Sequence, residues 1–186
     1  SLKKAIDDYI FTFKLFAPRK YVKYFELNIS CPNIRLKGAF SSIENFSKLC
    51  AAVKKLKLKQ PIFVKMANEL SLKESDDLVS TALKYGIKGF IFSNLVKDRT
   101  NKALVESEVA KISHLSGNFS GKPTFENSLK LIRHTRKKFG KDIVIIGTGG
   151  VFNALDAQAK FKAGADLLQL ITGMIYEGPQ LIGEIN

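Results

Sequence analysis

Ile143-Val144-Ile145-Ile146-Gly147-Thr148-Gly149-Gly150-Val151 is an apolar, β-branched run that stops on a glycine-rich turn, and an amphipathic stretch over 153–163 follows it. A short apolar run bounded by turn residues reads as a buried strand, and a strand that feeds a helix through such a turn is a βα unit. The same pattern recurs on either side. Apolar runs at Tyr24 to Ile29, Ile62 to Met66, Gly89 to Phe92 and Leu167 to Ile171 alternate with helix-period patterns at 3–16, 42–57, 72–85 and 124–139. Ser41 with Glu44 and Ser71 with Glu74 have capping-box spacing, Pro123-Thr124 opens a helix, and Gly86, Gly140 and Gly164 each close one.

Five βα repeats fit either a small doubly wound sheet or part of an eight-stranded barrel. The loops favour the barrel. The segments after the strands (30–40, 67–70, 93–122, 147–151 and 172–178) carry the polar and glycine-rich chemistry, and barrel enzymes build their sites at that end. The two most phosphate-like loops follow the last two strands, where barrels often bind phosphate. The expected fold is therefore α/β, the C-terminal portion (about five βα units) of a TIM (β/α)8 barrel. A single domain is expected over 1–186, a fragment lacking the first strands, because the chain starts without methionine inside a helix pattern. The long connection Ser93 to Lys122 exceeds what packing needs and is expected to be functional or mobile.

At 186 residues and 45% hydrophobic, the chain can bury a sizeable core. No run of about 20 apolar residues spans a bilayer and no signal peptide opens the chain, so a cytoplasmic location is expected. Two cysteines, Cys31 and Cys50, are too few for a disulfide framework and are expected to be free thiols. The net charge of +13 is spread over helix faces, so a solvated surface is preferred to a nucleic-acid partner. The densest cluster, Lys54, Lys55, Lys57 and Lys59, lies at a helix end, where it suits the dipole.

Three sites carry candidate chemistry. Gly149 and Gly150 leave backbone N–H groups free to cradle an anion, although Phe152 breaks the G-x-G-x-x-G dinucleotide pattern. A plain glycine turn is the alternative. The run Gln169-Leu170-Ile171 followed by Thr172-Gly173 adds a hydroxyl and a second open turn, which together favour a mononucleotide phosphate site. Lys65 sits in an apolar strand, where a buried charge needs a partner; an electron-rich ligand inside a barrel would meet that need, and a lysine snorkelling at a strand end is the alternative. Asn28 and Asn33 flank Ser30-Cys31-Pro32 at a strand end, giving amides around one thiol. A thiol has a reference pKa of about 8.5, close enough to neutrality to accept a carbon-bound proton with modest help. A small buried cysteine is the alternative there.

Glu26-Leu27-Asn28-Ile29-Ser30-Cys31-Pro32-Asn33, Val64-Lys65, Ser93-Asn94, Ser120-Gly121-Lys122-Pro123, Ile146 to Val151 and Gln169 to Thr172 occur in the order seen in dihydroorotate dehydrogenases. The resemblance covers nearly the whole chain and corresponds to the C-terminal half or more of that barrel. It implies FMN as cofactor and oxidation of dihydroorotate to orotate in pyrimidine biosynthesis. By position it implies Cys31 as the base, Asn33 and Asn94 on the pyrimidine, and Asn28 and Lys65 on the flavin ring. Ser93, Gly121, Gly149, Gly150, Ile171 and Thr172 complete the implied flavin contacts.

A cysteine base resembles the soluble class that uses fumarate or NAD, whereas Ser120 to Pro123 resembles the quinone-linked class, to which the C-terminal half leans. Quinone linkage would imply a peripheral membrane location, and the resemblance allows a homodimer. The sequence departs from the family pattern at Ile34-Arg35-Leu36-Lys37-Gly38, at Leu95 beside Asn94, and at Asn118 before Ser120. A flavin-dependent tRNA dihydrouridine synthase, which also carries a Cys-Pro pair, and a non-catalytic fragment of a flavin barrel are the competing readings.

Overall fold

The computed structural model describes residues 1–30, 40 and 42–186. The elements run α1 (Leu2–Phe16), β1 (Phe25–Asn28), α2 (Ile43–Lys54), β2 (Ile62–Lys65), α3 (Leu72–Lys84), β3 (Gly89–Phe92), α4 (Glu106–Lys111) and a 3₁₀ turn (Lys122–Thr124). They continue with α5 (Phe125–Phe139), β4 (Val144–Thr148), α6 (Ala154–Ala163), β5 (Leu167–Gln169), α7 (Thr172–Glu177) and α8 (Gln180–Ile185).

The five strands form one sheet in the order β1-β2-β3-β4-β5, each parallel to its neighbour. A doubly wound sheet reverses its strand order at a switch point and so places helices on both faces. Here each strand lies beside its sequence neighbour, so right-handed crossovers carry every helix to the same side. That is the winding of a barrel, and it settles the choice the sequence left open.

The two faces of the sheet are filled differently. Phe25, Leu27, Val64, Phe90, Phe92 and Ile145 face the helices and join Phe46, Leu49, Val79, Leu131 and Ile132 in one large buried cluster. Full burial of each such side chain contributes about 1.5–3 kcal/mol. On the concave face Phe63, Ile91 and Ile146 form a separate small cluster. Asn28 and Lys65 are paired in register on that same concave face, and Asn28, Lys65 and Thr148 are the last residues of their strands. Period-two alternation thus sends the polar ends of the strands to one mouth.

The helix signals hold with small shifts. Ser71 and Glu74 form both halves of a capping box, with Ser71 Oγ accepting from Glu74 N at 3.2 Å and Glu74 Oε2 accepting from Ser71 N at 2.8 Å. The N-cap of α2 is Ser42, whose hydroxyl accepts from Asn45 N; Ser41, expected to cap with Glu44, lies outside the described residues. The last two strands also move: β4 extends to Thr148 and β5 stops at Gln169, because Leu170 and Ile171 turn away toward α7. Three short helices, α4, α7 and α8, add to the expected elements, each only 6 residues long. The long connection after β3 is organised by α4 and by an antiparallel bridge between Val96 and Phe119. Arg99 donates to the carbonyls of Ile112 and Leu115 and sits 5.6 Å from the Phe119 ring centre.

Candidate active site

A cleft of about 150 Å³ opens at the C-terminal ends of the strands. Its walls bring together Lys65, Ser93, Asn94, Gly121, Gly149, Gly150, Ile171 and Thr172 from β2 and from the connections after β3, β4 and β5. Asn28 joins them through hydrogen bonds: Asn94 Nδ2 donates to Ser30 Oγ at 2.8 Å and reaches Asn28 Oδ1 at 3.5 Å, while Ser30 Oγ donates to Asn28 Oδ1 at 3.3 Å. The end of β1 and the start of the β3 connection are thereby held as one polar unit. Cys31 and Asn33 lie outside the described residues.

The floor of the cleft is a close packing of glycines against threonine. Gly149 and Gly150 both have positive φ, 89° and 76°, a backbone state that L side chains rarely adopt. A Cβ on Gly150 would lie 2.6 Å from Phe125 Cβ, and one on Gly149 would overlap the Thr124 hydroxyl. Thr124 is itself fixed, its Oγ1 donating to Gly121 O at 2.7 Å. No acceptor among the described residues takes the N–H of Gly149 or Gly150. Gly149 is half-buried and Gly150 buried, and both line the cleft, so their N–H groups are placed to donate to an acceptor within it. At the rim, Thr172 Oγ1 lies 3.0 Å from Ser120 Oγ.

Behind the cleft, three side chains that sequence reading passed over tie the loops together. Asn68, buried just after β2, donates from Nδ2 to Ser93 Oγ at 2.5 Å and to Thr124 O at 2.9 Å. Ser128 Oγ lies 2.9 Å from Phe92 O and 3.0 Å from Thr148 O, so its one proton bridges the ends of β3 and β4. Lys160, on the inner side of α6, is 0% exposed. The signal available was position: Lys160 falls on the stripe that contains Ala157 and Ala163, where an apolar residue is expected.

The chain matches the family model described as dihydroorotate dehydrogenase over residues 1–186. The chain belongs to the dihydroorotate dehydrogenase family. Among its relatives, the quinone-type dihydroorotate dehydrogenase of Brucella ovis is 36% identical over 188 residues, covering 97% of this chain and 50% of the relative. That of Bartonella tribocorum is 40% identical over 167 residues, covering 86% of this chain and 45% of its own. The crystal structure of dihydroorotate dehydrogenase from Eimeria tenella in complex with ferulenol superimposes with a TM-score of 0.85 at 25% identity, over 97% of this chain and 52% of that one. The chain thus spans about half the length of the family members it matches. In agreement, among the described residues β1 and β5 each pair on one side only, leaving two free sheet edges.

Proposed function

We propose that the protein takes part in the FMN-dependent oxidation of dihydroorotate to orotate in pyrimidine biosynthesis. The observation that carries this reading is the convergence, in one cleft, of the glycine pair, whose N–H groups have no acceptor among the described residues, the strand-end Lys65 and Asn94, through which Ser30 and Asn28 are tied to the site. This donor set fits FMN. Gly149, Gly150, Gly121 and Thr172 suit a phosphate and the polyol chain that carries it, and Ser93 and Ile171 stand beside them. Lys65, with Asn28 beside it in register, suits an electron-rich ring on the concave face.

Bound FMN supplies the two-electron oxidant. The residues of the chain do the remaining work. Asn94, with Asn33, hydrogen-bonds the pyrimidine and fixes which carbon faces the base. Cys31 Sγ accepts the proton from the ring methylene carbon while the neighbouring carbon gives up its hydride, so that a C–C single bond becomes a double bond. Quinone is the electron acceptor this reading favours, because the relatives are named as quinone-type; fumarate and NAD are the other acceptors to assay. No helix among the described residues is long and apolar enough to cross a membrane. The tRNA dihydrouridine synthase reading gives way to the family assignment.

The test is direct. The full protein, purified, shows a flavin spectrum and reduces a quinone analogue with dihydroorotate. A protein without bound flavin, or a flavoprotein that dihydroorotate leaves oxidised, would overturn the proposal.

A further inference from the structure

Lys160 is buried, with no carboxylate at ion-pair distance of its amine among the described residues. Its Nζ makes two long contacts, 3.4 Å to Phe125 O and 3.5 Å to Thr148 O, and lies 4.7 Å from the Phe125 ring centre. Such an ammonium is poorly compensated, and burying it costs several kcal/mol. Those two carbonyls are not arbitrary. Thr148 immediately precedes the glycine pair, and Phe125 is the residue against which Gly150 packs.

Peptide planarity connects the lysine to the cleft. The Thr148–Gly149 peptide is trans, so its C=O and N–H point in opposite directions. A carbonyl held from behind by Lys160 and Ser128 turns the Gly149 N–H away from them, and Gly149 lines the cleft. A cation on the carbonyl also polarises the peptide and makes that N–H a stronger donor. An anion accepting from it would in turn stabilise the ammonium.

We propose that Lys160 is the buried counter-charge of the anion cradle, a positioning residue that fixes the Thr148 and Phe125 carbonyls and is held in its charged form when a phosphate monoester occupies the cleft. The inference rests on the FMN reading above and adds to it a residue that does not line the cleft. Burial lowers the Lys160 ammonium from its usual 10.5 to about 7, against the opposing pull of Glu126 on α5 and Asp156 on α6, while β4 presents the Thr148 carbonyl. In the empty cleft at about pH 8 the amine is therefore largely neutral, and binding of a phosphate draws a proton onto it.

The experiment compares FMN with riboflavin, which lacks the phosphate, on the full protein stripped of flavin. Calorimetry in two buffers of different ionisation enthalpy reads proton uptake, and flavin fluorescence reads affinity. Wild-type protein takes up close to one proton per FMN at about pH 8, and its FMN affinity weakens by up to about tenfold per pH unit above neutrality. Riboflavin shows neither effect. The FMN phosphate has its own second pKa near 6 and is already dianionic at that pH, so the proton is not the ligand's. Lys160→Met loses both effects, and Lys160→Arg binds FMN with little pH dependence.

Equal proton uptake with FMN and riboflavin, or equal uptake in wild type and Lys160→Met, overturns the assignment of Lys160 while leaving the flavin site intact. Failure of every form to bind FMN overturns the flavin reading instead. Should Lys160→Met fail to fold, the FMN–riboflavin comparison on the wild type decides alone.

Discussion

Gln169 Nε2 donates a 2.5 Å hydrogen bond to Glu26 Oε1 across 143 residues of chain. The two residues stand on β5 and β1, the opposite ends of the strand order, so the bond crosses the concave face instead of following the ladder. A flat sheet of five strands would hold them far apart, since neighbouring strands are about 4.8 Å apart. Their contact shows that the sheet is curled as a barrel wall, and alternate strands of a barrel fill each interior layer together.

Hydrogen bonds to charged groups contribute about 1.5–3 kcal/mol, and removing one partner leaves the other desolvated. Gln169→Leu is therefore expected to lower stability by about 2 kcal/mol, and Glu26→Gln by less, because an amide can still accept. A double-mutant cycle by urea denaturation reads the coupling. A coupling near zero would mean that the interior contact does not hold the curvature.

Gly149→Ala tests the cradle. Its φ of 89° and the overlap of a new Cβ with Thr124 Oγ1 require the loop to move, at about 1–3 kcal/mol in stability. FMN affinity is expected to drop at least tenfold, a loss of about 1.4 kcal/mol. Gly86→Ala is the control: its φ is 82°, nothing lies within 4 Å of the new Cβ, and it follows α3 at the other end of the sheet. It carries the backbone strain alone, and fluorescence titration should find its FMN affinity unchanged.

The lowered Lys160 also sets a pH dependence of folding. Between about pH 7 and 10.5 the unfolded chain binds a proton at this lysine that the folded chain does not. Stability from this group therefore rises with pH across that window, by at most about 1.4 kcal/mol per pH unit, and the penalty of the buried charge is full below it. The difference in unfolding free energy between Lys160→Met and wild type should shrink steadily as pH rises from 7 to 10. A constant difference would place the ammonium in a compensated site.

The βα rhythm was legible because five apolar runs alternate with amphipathic ones and because glycines mark the turns after β4 and the ends of α3, α5 and α6; the polar loops after the strands favoured a barrel, and the strand order decided it. The residues proposed to hold FMN, from Lys65 to Thr172, were legible as ordered motifs, and the cleft gathers them. What stayed hidden depends on three-dimensional placement. Asn68 looks like any polar residue in a loop, and only its burial between Ser93 and Thr124 gives it a role. Lys160 is hidden for the same reason, since a lysine on a helix ordinarily faces water. The short helices α7 and α8 offer too few turns for a periodic signal.

The two thiols should separate chemically. Cys50 is 0% exposed on α2, and burial pushes its thiol up to about 12. At about pH 8 its thiolate fraction is then about one part in ten thousand, so alkylation of Cys50 should wait for unfolding. This makes Cys50 an internal standard for Cys31, whose proposed role requires a proton-accepting thiolate. Iodoacetamide at about pH 8, followed by peptide mass mapping, should leave Cys50 unmodified in the native protein, while Cys50→Ala keeps turnover. Cys31→Ala should retain the flavin spectrum and lose turnover by at least about a hundredfold, the usual contribution of a positioned general base. Preserved turnover in that variant would remove Cys31 from the proton transfer and leave the neighbouring Ser30 hydroxyl as the group to examine.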